Sequence, residues 1–118
     1  WKAMTSGGST GRPKVILDAM PAEWRPGSVR LMQRVGETVL NAGPLYHNAP
    51  FVSAFYALFS GGTVVEMVRF DAARTLAALA RHRVGWVNMV PTMMNRLWRL
   101  PEADRLADRP APDRVHQF

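Results

Sequence analysis

Apolar and polar positions along the chain fall into two rhythms. Trp1 to Ser6 and Val15 to Asp18 read as short extended segments flanking a loop rich in Gly, Ser and Thr. From Ala19 to Gly36 the pattern is irregular, with Pro21, Pro26 and Gly27 as breakers; Pro21 to Trp24 and Val29 to Val35 are the candidate amphipathic pieces there. Glu37 to Asn41 reads as a buried strand. Asn48 is placed to cap the next helix, Pro50 suits its first turn, and Phe51, Phe55, Leu58 and Phe59 recur at helical spacing until Gly61-Gly62 stops it. Thr63 to Val68 is β-rich around Val64-Val65.

Asp71 is the expected cap of a second helix, in which Ala72, Leu76, Leu79, Ala80 and Val84 follow the 3.6-residue period. Trp86 to Val90 forms another apolar strand, and Thr92 is a cap for a helix bearing Met93, Leu97 and Trp98, ended by Pro101. After Glu102 the chain turns polar, and Pro110 and Pro112 argue for little order. The fold class implied is α/β: a partial parallel sheet with helices packed on it, preceded by a strand–loop–strand unit. The organisation is 1–18 for that unit, 37–101 for a βαβαβα run and 102–118 for the tail, with no internal repeat.

Composition narrows the function classes. The chain has 118 residues, of which 47% are hydrophobic and 20% charged, the balance of one compact domain. It begins at Trp1 inside a predicted strand, which reads as a slice of a longer polypeptide. Without cysteine it has no disulfide framework, thiol nucleophile or Cys-based zinc site. No apolar run approaches the roughly 18 residues a membrane helix needs. The formal charge is +6, and only Lys2 and Lys14 among 15 basic residues are Lys. The arginines are scattered, and the nearest to a cluster, Arg81-His82-Arg83, sits at a helix end where it complements the dipole. His82 and His116 lack metal-ligand spacing.

The chemistry-bearing stretch is Thr5-Ser6-Gly7-Gly8-Ser9-Thr10-Gly11-Arg12-Pro13-Lys14. Three glycines let the backbone approach a ligand, successive N–H groups can form an anion nest, the hydroxyls of Ser6, Ser9 and Thr10 add donors, and Lys14 adds a mobile cation. Together they describe a polyphosphate cradle. It is not a Walker loop, because Arg12-Pro13 separates Gly11 from Lys14 and a β-rich Val15-Ile16-Leu17 follows. Nor is it a Gly-x-Gly-x-x-Gly dinucleotide turn.

Ser6 to Lys14 resembles the phosphate-binding signature of the acyl- and aminoacyl-adenylate-forming (AMP-binding) enzymes, with Val15 where that signature commonly has Gly. Gly43-Pro44-Leu45-Tyr46-His47-Asn48-Ala49-Pro50 resembles the aromatic-His motif of the acyl-CoA synthetases among them. Arg69 to Pro101 is similar to the family's helix–strand–helix segment, with Val90-Pro91-Thr92 at the strand-to-helix turn. The resemblance covers most of the chain and weakens after Glu102. Peptide-synthetase adenylation domains usually carry an Asp near the aromatic-His motif, and none lies between Gly43 and Phe51, which disfavours amino acids as substrate. The variant looks closest to fatty-acid and bile-acid or steroid CoA ligases.

The resemblance implies ATP-dependent activation of a carboxylic acid to an acyl-AMP, then transfer to CoA, in a cytoplasmic enzyme that works with Mg2+. Its implied nucleotide site is Thr5, Ser6, Gly7, Gly8, Ser9, Thr10, Gly11 and Lys14, with Thr10 the magnesium-linked contact. Lys14 and His47 are the implied catalytic residues, and Tyr46, His47, Asn48 and Phe51 the implied substrate pocket; Phe51, Phe55, Met89, Met93 and Met94 are candidates to line an acyl pocket, with plain core the preferred reading at that helical spacing. The family's later motifs do not appear: the Thr-Glu pair for magnesium, the Gly-Asp segment for the ribose and the C-terminal lid lysine. The 118 residues alone are therefore expected to be inactive, and the parent is open to homo-oligomerisation. A rival reading is a non-catalytic basic module for nucleic acid or another polyanion; a third is a truncation product with no stable fold.

Overall fold

In the computed structural model, which describes residues 2–5, 11–28 and 31–107, the centre of the molecule is strand β3 (Thr38–Asn41). Its residues Val39, Leu40 and Asn41 are wholly buried. Two parallel neighbours flank it, β4 (Thr63–Glu66) and β5 (Trp86–Asn88), in the order β4-β3-β5. Leu40 is in register with Val65 on one side and Val87 on the other. The earlier pair, β1 (Ala3–Thr5) and β2 (Val15–Leu17), is a separate antiparallel sheet with Thr5 opposite Val15.

Parallel neighbours require crossovers, and helices supply them. Helix α1 (Asn48–Phe59) carries the chain from β3 to β4, and α2 (Ala72–Arg81) carries it from β4 past β3 to β5. On one face of the sheet Leu40 packs with Leu79 and Val84, and Val65, Val87, Leu76 and Ala78 close around them. The period-2 rule puts Val39 and Asn41 on the other face, which α1 covers. The mixed α/β architecture with a parallel sheet and packed helices is the class the sequence implied, and the βαβαβ order is the one its alternation implied.

Several local expectations change. The stretch 21–25 is not helical, and neither is 31–35, where Leu31 and Met32 both take positive φ; Val29 and Arg30 lie outside the described residues. Two prolines leave too few consecutive residues to nucleate a helix. Trp24 instead lays its ring 5.5 Å from Tyr56 and 5.7 Å from Phe59 of α1. Strand β4 stops at Glu66 and Val68 is fully exposed. The cap of α1 is His47, not Asn48, with extended backbone (φ −86°, ψ 145°) and no side-chain cap bond. The Asn48 side chain faces Lys2 instead of its own amides.

Helix α3 (Pro91–Trp98) is likewise capped by Val90, not Thr92, because Pro91 pre-sets the first helical φ. Asp71 does cap α2, its carboxylate accepting from the Arg74 amide at 2.8 Å. In the stretch where composition implied little order, Glu102–Ala107 forms a short helix, α4; residues 108–118 lie outside the described residues.

Candidate functional site

Helix α1 begins at the carboxyl end of the central strand, where open parallel sheets place their ligand crevices. Asn41 ends β3, and Ala42-Gly43-Pro44-Leu45-Tyr46-His47 leads directly into the helix. Ala42, Gly43 and Pro50 are buried. Gly43 lies close to that helix: a Cβ would stand 3.1 Å from the Pro50 ring, a tight contact, with the Met93 methyl of α3 at 4.0 Å. The residues that follow, 44–49, are exposed. The His47 amide donates to Pro44 O at 3.0 Å, and His47 O accepts from the Phe51 amide at 3.1 Å. The imidazole is exposed, and the Tyr46 ring, 76% exposed, sits 4.6 Å from it at 52°.

The second part of the site is the β1–β2 hairpin. Its register puts Thr5 against Val15, so Thr5 and Lys14 stand together at the mouth of the intervening loop. Both are exposed. Gly11, at φ 132°, occupies backbone space closed to side-chain-bearing residues. Ser6, Gly7, Gly8, Ser9 and Thr10, the middle of the implied cradle, lie outside the described residues.

One contact joins hairpin and helix: the Lys2 ammonium donates to Asn48 Oδ1 at 2.6 Å across 46 residues of sequence. Lys2 holds the hairpin's other strand as well, its carbonyl accepting from the Asp18 amide at 2.9 Å. The bond ties the open end of the hairpin, opposite the loop end that bears Lys14, to the first residue of α1. Sequence reading passed over Lys2, whose available signal was its rarity as one of two lysines. It also passed over the polar row at the strand ends, where Asn41 is in register with Glu66 and Asn88. The Asn41 amide donates to Glu66 Oε2 at 2.7 Å.

The implied acyl-pocket residues divide. Phe51 and Phe55 are half-buried, with ring centroids 4.4 Å apart. Phe55 also lines an open groove of about 420 Å³ with Trp24, Val52, Tyr56 and Phe59. Met93 is half-buried, whereas Met94 is 54% exposed. Among the described residues no group of three His, Asp or Glu could hold a metal ion. Nor is any of their helices long and apolar enough to cross a membrane.

Comparison with known proteins places the chain in a class. The chain matches the AMP-binding enzyme family over residues 3–116 and belongs to that family. Among curated relatives, a sulfoacetate–CoA ligase of Cupriavidus necator is 37% identical over 95 residues, 77% of this chain and 19% of that protein. A 2-succinylbenzoate–CoA ligase of Bacillus pumilus is 29% identical over 97 residues, 80% of this chain and 20% of that protein. The chain thus spans about a fifth of the length of these relatives. Among solved structures, O-succinylbenzoate coenzyme A synthetase from Bacillus subtilis, in complex with ATP and magnesium ion, aligns with a TM-score of 0.67 at 27% identity. That alignment covers 86% of this chain and 23% of that one. The relatives are CoA ligases, as the motif resemblance implied.

Proposed function

We propose that the chain supplies the phosphate-binding loop and part of the acid pocket of an ATP-dependent acid–thiol ligase. The observation that carries this reading is the place of His47. It is exposed at the N-terminus of α1, at the carboxyl end of the central parallel strand, in a chain that belongs to the AMP-binding family.

In the reaction, a substrate carboxylate oxygen attacks the α-phosphorus of ATP, the bond to the bridging oxygen breaks, and pyrophosphate leaves. The CoA thiol, losing its proton, then attacks the acyl carbon and AMP departs. Positioning and charge neutralisation supply most of the catalysis of the first step. Ser6 to Gly11 hold the β- and γ-phosphates through N–H groups and hydroxyls. The Lys14 ammonium offsets charge on the departing pyrophosphate. His47 donates to the oxygens gathered between carboxylate and α-phosphate, and Tyr46 walls that position. Asn48 and Phe51, on the first turn of α1, border the acid.

Magnesium fits as an ion held chiefly by the nucleotide. Mg2+ commonly takes few protein ligands beside phosphates. Thr10 is its proposed protein-side contact. The acid is a fatty or steroid-type carboxylic acid, CoA is the acceptor, and the setting is cytoplasmic. The 118 residues alone do not complete the reaction, since the ribose-binding and lid motifs are not among them.

Calorimetric titration tests the reading. The chain should bind MgATP, and Lys14→Ala should weaken binding about tenfold or more, the worth of one hydrogen bond to a charged group. The wild-type chain should release no pyrophosphate when given ATP and a fatty acid. Equal ATP affinity in wild type and Lys14→Ala would sink the assignment.

A further inference from the structure

The two motifs of the proposed site sit on two different sheets that share no strand. Lys14 belongs to the β1–β2 hairpin, and His47 to the turn between β3 and α1. A site that must hold a phosphate chain at one end and a carboxylate at the other needs a fixed spacing between them, because small misplacements of reacting groups are costly. The structure contains a link at that seam. The Lys2 ammonium, at the foot of β1, donates at 2.6 Å to Asn48 Oδ1, the side chain next to His47.

The bond has three features of a positioning contact. It is short and charge-assisted, the stronger class of hydrogen bond. It ends on Asn48, the first residue of α1, whose cap His47 makes no side-chain bond, so it ties the start of the helix to the hairpin. And it begins on a residue that pairs backbone to backbone with the hairpin's second strand through the Asp18 amide, so that Lys2 is part of the hairpin frame.

We propose that Lys2 is a positioning residue: through Asn48 it locks the phosphate-loop hairpin to the first turn of α1 and sets the distance between Lys14 and His47. This rests on reading Lys14 and His47 as two ends of one site. Lys2 itself takes no part in the chemistry. It acts on the spacing of the groups that do.

The test needs no nucleotide. Amide spectra of the isotopically labelled chain are compared in a double-mutant cycle. Asn48→Ala is introduced into wild type, into Lys2→Met, which keeps the stem but removes the donor, and into Lys2→Arg, which keeps a donor. In wild type, Asn48→Ala should shift the amide signals of Gly11 and Lys14 on the hairpin. In the Lys2→Met background those shifts should vanish, and in the Lys2→Arg background they should largely return. A merely stabilising lysine would lower the thermal midpoint without abolishing that transmission.

The idea is overturned if the hairpin shifts are absent in wild type, or persist undiminished in Lys2→Met. Should Lys2→Met fail to fold, Lys2→Gln replaces it, and the same comparison decides. A parallel ATP titration separates the two readings. If ATP does not bind but the cycle shows transmission, the function proposed for the loop fails while the link stands. If ATP binds and the cycle shows none, the reverse holds.

Discussion

A Cβ added at Gly62 would collide with the carbonyl oxygens of Glu37 and Ala57. Neither can retreat, since Glu37 O accepts from Thr63 N at 3.1 Å and Ala57 O from Gly62 N itself at 2.8 Å. At Gly61 a Cβ meets nothing within 4 Å, but φ is 72°. The pair therefore separates crowding from backbone strain. Gly62→Ala should lower stability by about 1–3 kcal/mol, the usual cost of overpacking. Gly61→Ala should cost about 1 kcal/mol for the left-handed conformation alone. Urea unfolding of both variants checks the order, and equal losses would show that the α1–β4 turn yields. Asp71→Ala tests the cap of α2 in the same assay and should cost about 1 kcal/mol. That cap was legible in the sequence because everything it needs is local, the Arg74 amide lying three residues on. Asn48 has the same residue type as a cap, but the helix begins at Asn48 itself with His47 before it, and the Asn48 side chain bonds Lys2, 46 residues away, a contact no local rule can see.

Helix α1 shows what the hydrophobic pattern can and cannot specify about an element. Its existence and its stop followed from Pro50, the apolar spacing and Gly61-Gly62, while its start lies one residue earlier than Asn48 as cap implied. Its buried face did not. Spacing singled out Phe51, Phe55, Leu58 and Phe59, yet Pro50, Ser53, Ala54 and Ala57 are the buried residues, and Leu58 and Phe59 are more than half exposed. The physical reason is distance: a helix lying close on a sheet needs small side chains at the contact, so the bulky ones turn outward. Gln33 follows the same seam, donating to Ser53 O at 3.2 Å from the loop before β3. Two substitutions should then invert the expectation drawn from hydrophobicity. Ala57→Leu, though it adds apolar surface, should destabilise by about 1–3 kcal/mol. Leu58→Ala, though it removes apolar surface, should change stability by no more than about 0.5 kcal/mol. Thermal unfolding of the two variants decides; a larger loss from Leu58→Ala would mean that the aromatic side of α1 is the packed one.

At the scale of the whole molecule the question is what a net charge of +6 attracts. The proposed phosphate loop is contiguous, ten residues whose chemistry can be read together. The charge has no such unit. The fold sets Arg12 beside the loop, Arg25 in the stretch after β2, Arg74 and Arg81 on α2, and Arg96 on α3, while Arg105 lies over the Trp98 ring at 4.8 Å. All but Arg105 are exposed. They lie on separate elements and form no contiguous run, while Arg12 and Lys14 flank Pro13 at the end of a glycine-rich segment. A nucleic-acid module would show affinity falling by about 0.9 log unit per log unit of salt for each phosphate contacted, with many contacts and little dependence on Lys14. This molecule should show the opposite pattern. Duplex DNA binding, followed by anisotropy from low to physiological salt, should have a slope no steeper than about −3, the value for some three phosphates. Lys14→Ala should weaken MgATP binding far more than DNA binding. A slope near −6 or beyond, unchanged by Lys14→Ala, would instead assign the arginines a joint role and make the nucleotide loop incidental.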